Sequence, residues 1–292
     1  MSESKAMINW FPGHMTKTRR QMEEDIKLVD LVIEVVDGRI PFSSKNPYLD
    51  EVWKRRPRMI AINKSDLADP KVTKAWTAWY EAQGFGVVEL NSLAGLGTDK
   101  IGAVAAELCK EKRERDKAKG LKERPIRMMI TGIPNVGKST LINTLAGRAG
   151  AKTGNKPGVT RGKQWIKLKN NMELLDTPGM LWPKFEDQTQ AERIAMVGSI
   201  KDELLDMDEL AYQLIRFLKE QYPALLKERY KLGEEDLQME AVPLIERIGK
   251  GRGFLMSGGI TDFSRTARML IEEFRSGKIG RISLEYPQQE EG

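Results

Sequence analysis

The chain has 292 residues, 40% of them hydrophobic, enough for a packed core in one large domain or two ordinary ones. No apolar run approaches the ~18 residues of a membrane span, the first residues lack the apolar centre of a secretory signal, and one cysteine excludes an internal disulfide framework or a cysteine zinc site, so a cytoplasmic protein without a membrane segment is expected. Net charge is +6, but residues 1–183 hold 32 Lys/Arg against 21 Asp/Glu while residues 184–292 hold 16 against 21, so the basic excess lies in the first part.

In chain order, the first distinctive feature is W-F-P-G-H-M at 10–15, which contains His14, the only histidine. Any imidazole chemistry must therefore be that of His14, which titrates near neutral pH and can position or deprotonate water, or simply pack in a loop. A helical pattern at 16–28 precedes a β-branched run at 31–37, read as a buried strand. A second strand, 58–63, ends in N-K-S-D: Asn63, Lys64, Ser65 and Asp66. An aspartate at the last position can accept from the guanine N1–H and the 2-amino group, a donor pair that adenine lacks. A helix at 71–83 and a third strand at 86–91 follow, the latter ending in Asn91-Ser92, where Ser92 could support the guanine O6 region.

A helical segment at 98–118 contains Cys109, read as an ordinary buried residue, and opens the charge-dense stretch 110–124. Either that stretch is a solvated face laced with i,i+4 pairs or it meets a polyanion. The fourth strand, 126–131, feeds G-I-P-N-V-G-K-S at 132–139 and a helix at 138–147. In this pattern, backbone N–H groups point at phosphates, Lys138 neutralises them and the Ser139 hydroxyl ligates Mg²⁺. Asn135, Val136, Gly137 and Thr140 complete the expected nucleotide contacts, and Asn135 is a candidate ligand for K⁺ beside the β- and γ-phosphates. Thr160, in K-P-G-V-T, is the candidate switch threonine that completes the Mg²⁺ shell.

Runs 165–168 and 172–176 read as a hairpin ending in D-T-P-G. There Asp176 would hold Mg²⁺ through water, and the Gly179 N–H would sense the γ-phosphate. Met180 stands where many GTPases place a water-orienting glutamine, so slow intrinsic hydrolysis is expected. Residues 184–292 read as helical: Leu210, Leu214, Phe217 and Leu218 form one stripe, and Phe263, Ala267, Leu270, Ile271 and Phe274 another, with Arg265, Arg268 and Arg275 off it. The segment 249–254 reads as a flexible basic loop inside a stretch, 247–281, that carries eight Lys/Arg and three acids. The tail 288–292 reads as disordered.

Strands alternating with helices predict an α/β fold with a mostly parallel sheet and helices on both faces, followed by a small all-helical unit. The expected division is 1–183 for the nucleotide domain and 184–292 for an RNA-binding domain. The guanine-reading motif precedes the phosphate loop by 69 positions, the reverse of the ordinary GTPase order, so the domain reads as circularly permuted.

On these motifs, with D-G-R-I-P at 37–41, L-L-D-T-P-G-M-L-W-P-K at 174–184 and I-K-D at 200–202, the chain resembles the circularly permuted ribosome-assembly GTPases, most closely the ribosome biogenesis GTPase A (RbgA/YlqF) family. The resemblance implies GTP/GDP as ligands, Mg²⁺ and K⁺ as cofactors, and a large (50S) ribosomal subunit precursor, with its rRNA and proteins, as the partner that stimulates hydrolysis. It also implies a monomer, a hydrophobic residue at position 180, and a catalytic part for His14 beside Lys138, Asn135 and Thr160. The alternative from another class is a non-catalytic GTP-sensing RNA-binding module.

Overall fold

The computed structural model describes residues 20, 22–47, 56–147, 165–168, 171–177 and 187–287. Its centre is a six-stranded sheet of β1 (Leu31–Asp37), β2 (Arg58–Asn63), β3 (Gly86–Glu89), β4 (Ile126–Thr131), β5 (Trp165–Leu168) and β6 (Met172–Asp176), in spatial order β3-β2-β1-β4-β6-β5. All neighbours are parallel except the edge hairpin β5–β6. The chain runs outward from β1 through β2 to β3, then returns to lay β4 on the other side of β1. Strand order therefore reverses between β1 and β4, and doubly wound sheets bind ligands at the carboxyl ends of the strands at such a point.

Every residue of β1 is buried, as a strand covered on both faces requires. Alternate side chains go to opposite layers: Val36, Ile60 and Ile62 pack with Val72, Trp76 and Tyr80 of α1 (Pro70–Ala82), while Val35, Met59 and Ala61 join the larger core with Ile101 and Ala105 of α2 (Lys100–Leu108). α1 starts where Asp69 caps the Lys71 N–H and Pro70 supplies the first helical position.

Two sequence expectations shift here. The third strand stops at Glu89 rather than 91, because Asn91 turns back to bridge Leu96. The helix expected over 98–118 divides at Cys109 into α2 and α3 (Lys110–Ala118). Cys109 is the last apolar anchor, buried and with its thiol pushed up to about 11 mainly by that burial, and beyond it α3 buries nothing. The segment is held instead by Lys112 and Arg124, which both pair with Asp30 before β1.

After β6 come α4's counterparts on the helical side. With α4 (Lys138–Ala146) following the phosphate loop, these are α5 (Gln188–Met196), α6 (Met207–Gln221), α7 (Pro223–Tyr230), α8 (Glu234–Gln238), α9 (Ala241–Gly251) and α10 (Phe263–Arg275). The expected stripes are buried at Leu210, Leu214 and Leu218 of α6 and at Ala267, Leu270, Ile271 and Phe274 of α10, with Phe217 and Phe263 half-buried. Asp262 caps α10 through the Arg265 N–H, as the T-D pair implied.

The flexible loop read at 249–254 instead begins inside α9, whose last turn takes residues 249–251, and only 252–254 lie beyond the helix. Gly249 is a packing residue: a Cβ there would collide with Thr266 Oγ1 of α10 and stand 2.5 Å from Thr261 Cγ2. The glycine lets the two helices approach backbone to side chain, a demand that a one-dimensional reading of G-K-G-R-G cannot reveal. From Ile279 to Tyr286 the chain leaves the helices and returns to the sheet domain. Ile282 N–H donates to Leu67 O (2.9 Å) and Leu284 N–H to Arg39 O (2.8 Å). Glu285 accepts from the Phe42 and Ser43 N–H groups, and its own carbonyl takes the Trp76 indole N–H.

Candidate nucleotide site

The phosphate loop leaves β4 and enters α4 with Asn135 and Gly137 at positive φ (60° and 99°). Gly137 must be glycine on two grounds: its left-handed backbone, and the Asn63 amide, whose nitrogen a Cβ would overlap. Lys138 is 8% exposed and arches over the loop, donating to Gly132 O (3.0 Å) and Ile133 O (2.9 Å). Burial pulls its pKa down to about 8 against the opposing charge of Asp176. Val136 is buried, Thr140 half-buried, and Asn135 and Ser139 exposed.

Asn63 joins three parts of the site. Its Nδ2 donates to Val136 O (2.7 Å), and its Oδ1 accepts from the Ser92 N–H (3.0 Å) and the Ser92 hydroxyl. The side chain therefore ties the end of β2 to the phosphate loop and to the segment after β3, and Ser92 serves it as an orienting partner. Thr144 of α4 extends the tie by donating to Ser92 O. Asn91 Oδ1 accepts the Ala94 N–H and shapes that turn.

Lys64 sits at φ 57° and donates to Asp37 Oδ2 (2.9 Å). Asp66 is exposed, and its carboxylate makes no hydrogen bond among the described residues. Asp176 ends β6 in register with Ile130 of β4, which places its carboxylate on the same edge as Ser139, and Thr177 fixes the turn by donating to Ile130 O (2.7 Å). Among the described residues no three His, Cys, Asp or Glu side chains cluster as a protein-only metal cage. The oxygen donors Ser139 and Asp176 fit Mg²⁺, an ion that uses one or two protein ligands and fills the rest with phosphate and water. His14, Thr160 and Gly179 lie outside the described residues, as do Met180 and the tail 288–292.

Two residues that brace the site were given no role by sequence reasoning, which used D-G-R-I-P only as a mark of the family. Asp37 and Arg39, within D-G-R-I-P, are buried at the end of β1: Arg39 Nε and Nη2 donate to Asp37 at 2.9 and 2.8 Å. Burial alone would push the Asp37 carboxyl up, but Arg39 and Lys64 together outweigh it and hold it well below the usual carboxylate range. Arg39 also donates to Arg275 O at the end of α10 and lies 5.2 Å from the Phe274 ring. The signal was two opposite charges two residues apart at a strand's end, too common a pattern to single out.

Arg275 is likewise committed internally, donating to Ala195 O and Met196 O and pairing with Asp202. Arg247 pairs with Asp236, Arg252 with Glu273, and Arg281 binds backbone carbonyls. Half of the cations in 247–281 thus hold the fold, and the other four, Lys250, Arg265, Arg268 and Lys278, are exposed. The helical part reaches the phosphate loop directly: Asn135 Nδ2 donates to Gly198 O (2.7 Å) and Ser199 Oγ to Pro134 O (2.8 Å).

A phosphate loop on β4 and an N-K-x-D loop on the earlier strand β2, clasped by Asn63 over one sheet edge, define a P-loop GTPase of permuted motif order. The family described as "50S ribosome-binding GTPase" matches residues 127–243. Ribosome biogenesis GTPase A of Bacillus cereus is 49% identical over 283 residues, covering 97% of this chain and 95% of that protein. The one from Priestia megaterium is 50% identical over 285 residues, covering 97% and 98%. Among solved structures, a GNP-bound YlqF from T. maritima superposes with a TM-score of 0.65 at 27% identity, covering 94% of this chain and 99% of that one. A GDP-bound TM YlqF gives 0.66 at 27%, covering 92% and 100%. The chain belongs to the ribosome biogenesis GTPase A family, and it is a GTP hydrolase.

Proposed function

We propose that this protein binds GTP, docks on an immature large ribosomal subunit and hydrolyses the nucleotide to drive a late step of subunit assembly. The observation that carries the reading is the meeting of Asn63, the phosphate loop and Asp176 on one sheet edge, with the loop tip bonded to the helical part at Gly198 and Ser199. In this reading Asp66 takes the guanine N1–H and 2-amino donors, Asn63 and Ser92 hold the reader against the loop, and Asn91, Lys64 and Ser65 flank the base. The backbone of 135–140 and the Lys138 ammonium take the phosphates. Ser139, Asp176 and Thr160 hold Mg²⁺, which when bound offsets charge developing on the phosphate oxygens.

Asn135 commits its Nδ2 to Gly198, so its oxygen is the atom to coordinate K⁺. Gly179 senses the γ-phosphate, and His14 orients the attacking water in place of the missing glutamine. Residues 1–183 form the switch and 184–292 contact rRNA through Lys250, Arg265, Arg268 and Lys278. The protein acts as a cytoplasmic monomer; no described helix is long and apolar enough to cross a membrane.

The test is GTP turnover by the purified chain with and without large ribosomal subunits, in K⁺ and in Na⁺ buffer. Stimulation by subunits that requires K⁺ is the expected result. Tight GTP binding with no stimulation in either salt would overturn the assembly role.

A further inference from the structure

The loop that reads guanine in the proposal above is held from outside its own domain. Arg281, in the segment that returns after α10, donates from Nη2 to Ser65 O (2.7 Å) and from Nε to Ala68 O (2.9 Å). The next residue, Ile282, donates its N–H to Leu67 O (2.9 Å), and Ser283 Oγ accepts the Asp69 N–H (3.2 Å). Four of the five positions from Ser65 to Asp69 are thus bonded to residues 281–283. The remaining position is Asp66, the exposed carboxylate assigned to the base. From the inner side the Ser65 N–H donates to Leu90 O (3.0 Å) and Lys64 to Asp37.

We infer that Arg281 is a positioning residue for guanine recognition, acting through the backbone of Ser65 and Ala68 to fix where the Asp66 carboxylate meets the base. A carboxylate on an unbraced loop would have to be ordered at each binding event, and prior ordering converts that cost into affinity and selectivity. The planar guanidinium suits this task because two of its donors, at fixed angles, reach two carbonyls three residues apart, which an ammonium cannot reproduce. Although Arg281 belongs to a stretch rich in cations, these two bonds turn its donors inward. The segment is itself anchored by buried Ile279, Ile282 and Leu284 and by Glu285, so the brace is rigid where it acts.

The inference rests on the guanine-site reading, and the test separates the two. In the full-length chain, Arg281→Ala and Arg281→Lys are compared with the parent for binding of fluorescent GTP and of its inosine analogue, which lacks the 2-amino group, with thermal unfolding measured in parallel. Losing two charge-assisted bonds to the loop lowers GTP affinity by about tenfold in both variants. The preference for GTP over the inosine nucleotide narrows, and the unfolding midpoint moves little.

Equal weakening of both nucleotides, or no weakening, overturns the positioning role, since a merely structural staple would not act on the 2-amino contact. Asp66→Asn is measured alongside against xanthosine triphosphate. If it leaves base preference unchanged, the guanine-site reading fails and takes the inference with it. If it shifts preference while Arg281→Ala does not, only the inference fails.

Discussion

Replacing Arg39 with glutamine tests the buried charge cluster at the end of β1. Asp37 has no exposed side-chain surface and Arg39 only 2%, and the two share both guanidinium bonds described above plus the Arg39 N–H. Removing one partner of such a pair leaves a buried charge poorly compensated and costs about 3–5 kcal/mol. Lys64 still reaches Asp37, so the lower end, about 3 kcal/mol, is expected. At about 2–4 °C per kcal/mol in larger domains, the midpoint should fall by roughly 6–12 °C.

The assay is urea unfolding followed by tryptophan fluorescence, run on Arg39→Gln, Asp37→Asn and the double variant. The double variant should be more stable than the sum of the singles by ~1–3 kcal/mol, because it removes the orphaned charge together with its partner. The folded carboxyl titrates below its unfolded value, so the stabilisation is complete above about pH 4 and is lost only as pH falls through the lower folded value. The difference between parent and Arg39→Gln should therefore be flat from about pH 5 to 8. A loss under about 1 kcal/mol, or additive singles, would refute the cluster's role.

Gly249→Ala should destabilise by up to about 2 kcal/mol: overpacking against Thr266 costs about 1–3 kcal/mol, offset by a helix-propensity gain of about 1 kcal/mol. If chemical denaturation shows the variant more stable than the parent, the close approach of α9 and α10 is wrong. Lys138 gives a pH signature. Burial holds its pKa down at about 8 in this fold against the ordinary 10.5 of a lysine, so between those values the unfolded chain binds more protons and stability rises with pH. Phosphate contact favours the ammonium, so nucleotide binding should take up a proton as pH passes 8. Calorimetry at about pH 8.5 in buffers of different ionisation heat reads that uptake directly, and none would contradict the burial argument.

The strands and most of the described site edge were legible because each motif follows a recognisable apolar run: N-K-S-D after 58–63, the phosphate loop after 126–131, D-T-P-G after 172–176. What was not legible depends on distant contacts. Nothing near Gly249 announces Thr266, nothing near Arg281 announces Ser65, and the net charge of 247–281 is blind to Asp202 and Asp236, which neutralise part of it from outside. Asn63 was legible as part of N-K-S-D, but not the use of its amide to join the reader to the phosphate loop.

The bond from Ile282 to Leu67 also has a temporal meaning. A domain made by a ribosome emerges from its N-terminus at about 5–20 residues per second. The sheet strands β1 to β4 and the phosphate loop are thus available while more than a hundred residues remain to be added. The braces at Ser65, Leu67 and Ala68 come from residues 281 and 282, made more than a hundred residues after the phosphate loop. A nascent chain therefore carries its N-K-S-D and phosphate-loop motifs well before the reader loop is clamped, and on the bracing proposed above its discrimination for guanine sharpens only once residue 282 has been added.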